Sequence, residues 1–314
     1  MYNCERYIAD CLESILKIDL PTDDYEVIVI NDGSTDNSLA LVNNFAERYH
    51  NIHCMTTSNQ GQAAARNTGI KQSKGRYLWF VDADDKIDAD EFQKAYSELW
   101  KQENLDYLAF RLNYVTEDNI VIEKGSVQKS LEHYIFMSGR DAIIDGYMPL
   151  SLCTMFINRF FLTCNNLFLH QGIVHEDVEL SYRMTAKAEK ILFTDFVPYI
   201  YIKHPNSTST SFNPTKKTKY LCDELVVYKS FTALAEEHKN DSELFNTIYK
   251  RAESILFALL LALYRNKKQW QPLGINRGVI NKMEEEGLYP VKGRTFNWKK
   301  RLMLLLLNRK WIIC

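Results

Sequence analysis

Apolar positions near the start of the chain recur at helical spacing, give way to an unbroken β-branched run, and then repeat the exchange. Ile8, Cys11, Leu12, Ile15 and Leu16 fall on one face of a helix predicted over Glu5–Leu16, and Tyr25–Ile30 reads as a buried strand. The turn residues Asn31–Ser34 follow at once. Leu39, Val42, Phe45, Ala46 and Tyr49 mark a second helix, Ile52–Thr57 a second strand, Gln62–Lys71 a third helix and Tyr77–Val81 a third strand. Such alternation predicts an α/β layer with a mostly parallel sheet, whose sites lie beyond the carboxyl ends of its strands. Asp32 and Asp82 occupy such positions, after the first and third of these strands.

Beyond Leu105 the pattern turns to short strands, with a hairpin expected near Glu117-Asp118-Asn119 and mixed segments up to His204. From Pro214 onward it is helical, with helices expected over Tyr220–His238 and Ser242–Arg265 before a basic apolar tail. The hydroxyl-rich stretch Pro205–Ser211 reads as a linker or as a loop lining a site.

Composition narrows the class. The 314 residues are 46% apolar and 25% charged, which fits a globular protein and excludes disorder over most of the chain. With 38 basic against 40 acidic residues, the net charge of −2 gives no global electrostatic reason to bind nucleic acid. Seven cysteines, an odd number without a C-x-x-C pair, argue against a disulfide framework or zinc cluster and for a reducing, cytoplasmic compartment. No basic-then-apolar leader opens the chain, and the longest apolar runs, Ile255–Tyr264 and Leu302–Leu307, fall short of the roughly 20 residues that span a bilayer. The expectation is a soluble or peripheral protein. Charge is unevenly placed: after Glu286 there is no acid, while Lys292, Arg294, Lys299, Lys300, Arg301, Arg309 and Lys310 are all basic.

The sharpest chemical cluster is Asp82-Ala83-Asp84-Asp85, set directly after an apolar run. If the extended backbone persists, Asp82 and Asp84 project to one side and would repel unless a hard divalent cation sits between them. A solvated acidic turn before the next helix accounts for the same residues. In Asn31–Asp36, Gly33 permits a tight turn and Thr35 or Asp36 can cap a helix, while Asp32 is placed to accept hydrogen bonds from a base or sugar. The small residues of Gln60–Asn67 make a narrow helix from which Arg66 offers a planar fork to phosphate or to a neighbouring acid. His175-Glu176-Asp177 opens an amphipathic helix over Val178–Lys187, where acids also suit the helix dipole, and His204 ends a strand-like run.

Together and in this order, Tyr2-Asn3, Asn31–Asp36, Gln60–Asn67, Asp82–Asp85, Glu176-Asp177 and the loop after Tyr201 resemble the inverting glycosyltransferases of family 2, over roughly residues 1–210. The resemblance implies a GT-A fold, Rossmann-like, over residues 1–212, with a nucleotide-binding half at 1–110 and an acceptor half at 111–212, followed by a helical region over 213–314. It also implies that Tyr2 packs on uracil beside Asn3, that Asp32 binds the base edge, and that Arg66 lies near the nucleotide. Asp82 would contact ribose or diphosphate, and Asp84 would hold Mg²⁺ or Mn²⁺. Asp177 would be the catalytic base with Glu176 supporting it, and His204 would lie over the diphosphate. The implied partners are a UDP-sugar donor carrying a hexose or N-acetylhexosamine and a glycan or lipid-linked glycan acceptor, in bacterial surface polysaccharide synthesis.

Family members normally begin with a hydrophobic strand before Pro-x-Tyr-Asn, whereas this chain starts at Met1-Tyr2-Asn3, so the expectation is that the first strand is absent and Met1 is an internal methionine. Residues 296–314, with Phe296, Trp298, Leu302–Leu307 and Trp311 among basic residues, suit an interfacial helix on an anionic membrane surface, or a terminal helix docked on its own domain. Two other functions compete: a nucleotide-binding scaffold with the same fold and no turnover, and a phosphatase of the haloacid dehalogenase type.

Overall fold

The computed structural model describes residues 1–118, 120–125, 135–149, 151–204 and 213–314; the expected linker at Pro205–Ser211 and the hairpin tip at Asn119 lie outside these residues. The chain divides into one unit of Met1–Gly172 with Glu176–His204 and a second of Ile173–His175 with Pro205–Cys314.

In chain order the first unit contains α1 (Ile8–Ile15), β1 (Val27–Asn31), α2 (Ser38–Arg48), β2 (Ile52–Thr56), α3 (Gln62–Gln72), β3 (Tyr77–Leu78), β4 (Lys86–Ile87) and α4 (Ala89–Trp100). There follow β5 (Tyr107–Ala109), β6 (Leu112–Thr116), β7 (Val121–Gly125), β8 (Ile135–Met137), α5 (Gly139–Ile144), β9 (Met155–Asn158), α6 (Arg159–Cys164), α7 (Glu176–Lys187), β10 (Ile191–Phe193) and β11 (Tyr199–Lys203). The second unit is helical, with α8 (Pro214–Glu237), α9 (Ser242–Arg265), α10 (Lys267–Trp270), α11 (Ile275–Glu285), α12 (Trp298–Leu307) and α13 (Lys310–Ile313). Among the described residues no helix is long and apolar enough to cross a membrane.

Side-chain alternation explains why the inner strands of the central sheet, ordered β3-β9-β5-β10-β8, are buried on both faces. Tyr107 and Ala109 of β5, Met155 and Ile157 of β9, and Ile191 and Phe193 of β10 join one apolar cluster with Leu180 and Met184 of α7. The intervening Leu108, Phe156 and Leu192 join another with Phe92 and Leu99 of α4. A separate parallel pair, β1 and β2, packs with α1 and α2 through Ile8, Leu12, Val29, Val42, Phe45 and Ile52. Met1 lies beside β1, its amino group donating to the Ile30 carbonyl at 2.8 Å and its carbonyl accepting from Asp32 N–H at 2.9 Å.

The α/β architecture agrees with the sequence pattern, but the mostly parallel sheet does not. β1–β2, β5–β10 and β6–β11 are parallel, whereas β3–β9, β5–β9, β8–β10, β4–β11 and β6–β7 are antiparallel. β9 inserts between β3 and β5 in the opposite sense, a pairing set by residues distant in sequence that local periodicity does not report. The strand expected over Tyr77–Val81 is also shorter. Pairing ends at Leu78, and Trp79 turns into an aromatic cluster with Phe92, Phe110, Phe156 and Tyr199, its indole N–H donating to the Cys153 carbonyl at 2.8 Å.

Candidate functional site

The Tyr2-Asn3 segment, the turns after β1 and β3, one face of α3, the start of α7 and the residue after β11 carry most of the residues singled out above. In the turn after β1, Gly33 adopts φ +74° and a Cβ there would stand 3.0 Å from the Asn59 nitrogen, so both backbone conformation and space favour glycine. Asp32 is 4% exposed, and its carboxylate accepts from the backbone N–H groups of Gln60 at 2.9 Å and Gly61 at 2.8 Å. Asp32 therefore fastens the loop that leads into α3. The Tyr2-Asn3 segment docks on the same turn: Asn3 N–H donates to Ser34 Oγ at 3.1 Å and Asn3 Oδ1 accepts from Thr35 N–H at 2.8 Å, while Tyr2 stays half-exposed.

α3 buries Ala63, Ala64 and Ala65, and this narrow face lets the helix pack closely while Arg66 reaches across. The Arg66 side chain is 11% exposed and joins acids 94 residues apart in the chain, Asp82 Oδ1 at 2.7 Å and Glu176 Oε1 at 3.4 Å. Burial alone would depress the guanidinium; Asp82 and Asp177 more than offset it and hold the charge. Asn67, next on the helix, exchanges two 2.9 Å hydrogen bonds with the backbone of Leu169 and so fixes the approach to α7.

Asp82–Asp85 is a turn, closed by Asp85 N–H donating to the Asp82 carbonyl at 3.1 Å, so Asp82 and Asp84 do not converge as an extended backbone would require. Each acid has its own environment. Asp82 accepts from Arg66 and, at 3.1 Å, from Gln62, with the Cys153 thiol 3.6 Å from its other oxygen. Asp85 is 2% exposed and accepts from the Tyr199 hydroxyl at 2.6 Å and the Ile202 N–H at 2.8 Å. Burial pushes Asp85 up to about 7 against those two hydrogen bonds. Asp84 keeps a half-exposed carboxylate, with His204 Nε2 4.0 Å away, and is raised by burial and by Asp82.

His204 follows β11 and lies against the Tyr7 ring at 4.3 Å, its Nδ1 paired with Glu117 at 2.8 Å and its Nε2 3.3 Å from the Asp84 carbonyl. Burial lowers its proton affinity, but the Glu117 hydrogen bond and Asp84 raise it overall. At the start of α7, burial lifts Glu176 to about 7 with Asp177 adding to the rise. Burial also raises Asp177, opposed by Arg66, and Asp177 Oδ1 accepts from Val178 N–H at 2.8 Å. His175 is engaged in the second unit, with Nε2 3.1 Å from the Tyr220 carbonyl.

The fit to a divalent cation rests on this donor set. Among the described residues no group of three or more His, Cys, Asp and Glu side chains is assembled as a cage. Asp84 offers hard, accessible oxygen, the arrangement in which Mg²⁺ or Mn²⁺ is shared between one or two carboxylates and substrate phosphates. Asp82, committed to Arg66, is not Asp84's partner in that role.

The profile of Glycosyl transferase family 2 matches residues 1–163. This chain belongs to that family. The family 2 chain is 31% identical over 226 residues to the uncharacterized glycosyltransferase EpsJ of Bacillus subtilis, covering 68% of this chain and 62% of that relative. It is 26% identical to the cholesterol galactosyltransferase of Borreliella burgdorferi, over 67% of this chain and 62% of the relative. The chain thus spans less than two thirds of these relatives. Its fold is similar to residues 1–349 of Staphylococcus aureus TarS, solved with UDP-GlcNAc, with a TM-score of 0.59 at 19% identity over 93% of each chain. It is also similar to a Pyrobaculum calidifontis mannosyltransferase solved with GDP-Man and Mn²⁺, with a TM-score of 0.55 at 14% identity over 100% of this chain and 83% of that one. The GT-A fold expected from the sequence is the fold observed, and family membership sets aside the phosphatase reading.

Several residues of the site carry no role in the sequence reading. Gln62 stands one helical turn before Arg66, a spacing that could have paired them on Asp82. Cys153, Tyr199, Glu117 and Tyr7 reach the site only through tertiary structure.

Proposed function

We propose that this chain is an inverting glycosyltransferase that moves a hexose or N-acetylhexosamine from a UDP-sugar to a hydroxyl of a glycan or lipid-linked glycan acceptor, in bacterial surface polysaccharide synthesis. The observation that carries the reading is Arg66, which joins Asp82 to Glu176 at the start of α7 while leaving Asp84 accessible beside His204. The UDP-GlcNAc complex of TarS supports the donor class. The seven cysteines are free thiols, which fits a cytoplasmic enzyme.

In this reading Tyr2 and Asn3 form the base side of the donor pocket, and Asp32 acts on it by holding the Gln60–Gly61 loop. Asp84 would hold Mg²⁺ or Mn²⁺, which when bound neutralises charge developing on the departing diphosphate. His204, biased toward its cationic form, adds positive charge beside Asp84. Asp177 takes the proton of the acceptor hydroxyl as its oxygen attacks the anomeric carbon; the donor's anomeric C–O bond breaks, and its electron pair leaves with UDP. One displacement from the opposite face inverts the configuration. Desolvation raises Asp177 above an ordinary aspartate, which strengthens it as a base near neutral pH.

Calorimetric titration of UDP with Mn²⁺ present, on the chain and on Asp84→Asn, tests the reading once circular dichroism shows both to be folded. Metal-dependent binding lost in the variant is expected. A folded chain that ignores UDP removes the UDP-sugar claim, and donor binding without transfer to any glycan hydroxyl returns the scaffold reading.

A further inference from the structure

Near the end of the second unit, α12 is a helix with two unlike faces. Leu304 and Leu307 of α12 are 3% and 2% exposed and share a core with Phe257, Leu260, Phe296 and Ile313. That docking is specified in detail. Asn308 exchanges hydrogen bonds of 2.9 and 2.8 Å with the Val291 backbone. Glu253 accepts from the backbone N–H groups of Arg294 at 2.6 Å and Thr295 at 2.7 Å. The outer face is equally regular. Trp298, Leu302, Leu305 and Leu306 repeat at the spacing of one helical stripe, and they are 71%, 58%, 65% and 53% exposed. Trp311, in the short α13 that follows, is 71% exposed as well.

Charge decides what this stripe can meet. Lys299, Arg301 and Arg309 flank it and are exposed, and no acidic residue follows Glu286. Lys310 is neutralised by Glu284 at 2.6 Å, so the positive character rests on the other three. A second copy of this face would bring like charges together along the rim of the apolar stripe. An anionic lipid surface instead accepts the apolar side chains between its acyl chains and pairs the flanking cations with headgroups, and tryptophan suits the interface between the two.

We propose that the outer face of α12, with Trp311, docks the chain on anionic membranes without inserting across them. The inference stands on α12 and the residues just after it, and is independent of the donor site. Vesicle flotation of the full chain tests it, comparing phosphatidylcholine vesicles with vesicles containing phosphatidylglycerol. Binding to the anionic vesicles should exceed binding to neutral ones by at least about tenfold and weaken in high salt. Leu302→Ser with Leu306→Ser should remove it, and Lys299→Glu with Arg309→Glu should reduce it at least about tenfold, with helicity by circular dichroism unchanged because all four side chains are exposed. Failure of the folded chain to float, equal partition into both vesicle types, or a concentration-dependent dimer abolished by the two serine substitutions without vesicle binding would each overturn the proposal. UDP binding measured on the same samples separates this outcome from failure of the catalytic reading.

Discussion

The first unit contains two acidic turns, Asn31–Asp36 and Asp82–Asp85, each following a strand and each rich in the residues expected to meet a nucleotide. They spend their carboxylates differently. Asp32 gives both oxygens to backbone N–H groups of the next loop, so its charge is consumed in holding the chain. In the second turn the work is divided: Asp85 is tied down by Tyr199 and Ile202, Asp82 meets Arg66, and Asp84 is left with an accessible carboxylate. Whether an acid can act on a ligand depends on how many of its lone pairs its own protein has already taken.

The largest effect that sharpens this contrast lies at neither turn. Asp177→Asn removes the proposed base while keeping its size, so transfer should fall about 10²- to 10⁴-fold with UDP binding within a few-fold of the parent chain. Steady-state kinetics beside calorimetry checks it, and retained transfer would move the base elsewhere. Arg66→Met should follow, because it leaves Asp82 and the buried Glu176 without their shared cation; a cost of about 3–5 kcal/mol in denaturant unfolding is expected, as for breaking other buried pairs. A loss under about 1 kcal/mol would show that the arginine bridges nothing of consequence.

Glu176 gives the same bridge a pH signature. Its folded value, about 7, lies above the 4.5 of the free side chain, so the folded state binds a proton that the unfolded chain releases between those values. Stability from this group is full below 4.5 and falls as pH rises through about 7. Urea midpoints in chelator-containing buffer should decline over that window, and Glu176→Gln should reduce the decline, leaving the share of Asp85, which burial also lifts to about 7.

Much of this arrangement was legible beforehand, for a reason that also marks the limit. α1 to α3 and the first two strands appear close to their expected positions because amphipathic spacing and β-branched runs are local signals. Tyr77–Val81 is not a full strand: Trp79 packs among four aromatic neighbours instead of extending the β3–β9 pairing, and no local rule contains those neighbours. Arg66, Asp82 and Glu176 were each singled out, yet the bridge between them spans 110 residues at its longest and belongs to the fold. Tyr199 gave no signal at all, since a tyrosine in a strand-like run has nothing to distinguish it from core.

The two turns can then be compared directly by giving each the same substitution. Asp32→Asn should cost about 1–3 kcal/mol of stability, because an amide presents an NH₂ to one of two buried backbone donors. Asp84→Asn should leave unfolding within about 0.5 kcal/mol of the parent, as a half-exposed side chain should, while removing metal-dependent UDP binding. Equal destabilisation by both would mean that Asp84 is structural too.

The smallest expected functional effect concerns the strut that keeps the second turn divided. Tyr199 is fully buried; its hydroxyl donates to Asp85 at 2.6 Å and accepts from Asp82 N–H at 3.2 Å, so one oxygen spans both ends of the turn. Tyr199→Phe keeps the ring in its aromatic cluster and deletes only that oxygen. Two hydrogen bonds go with it, each worth about 0.5–1.5 kcal/mol, which leaves Asp85 with one donor and Asp82 N–H without its hydroxyl acceptor. If the turn's geometry is what leaves Asp84 accessible, Mn²⁺-dependent UDP affinity should weaken by a few-fold while metal-independent UDP binding stays constant. An unchanged metal dependence beside the same stability loss would confine Tyr199 to packing and leave the geometry of Asp84 to its own backbone.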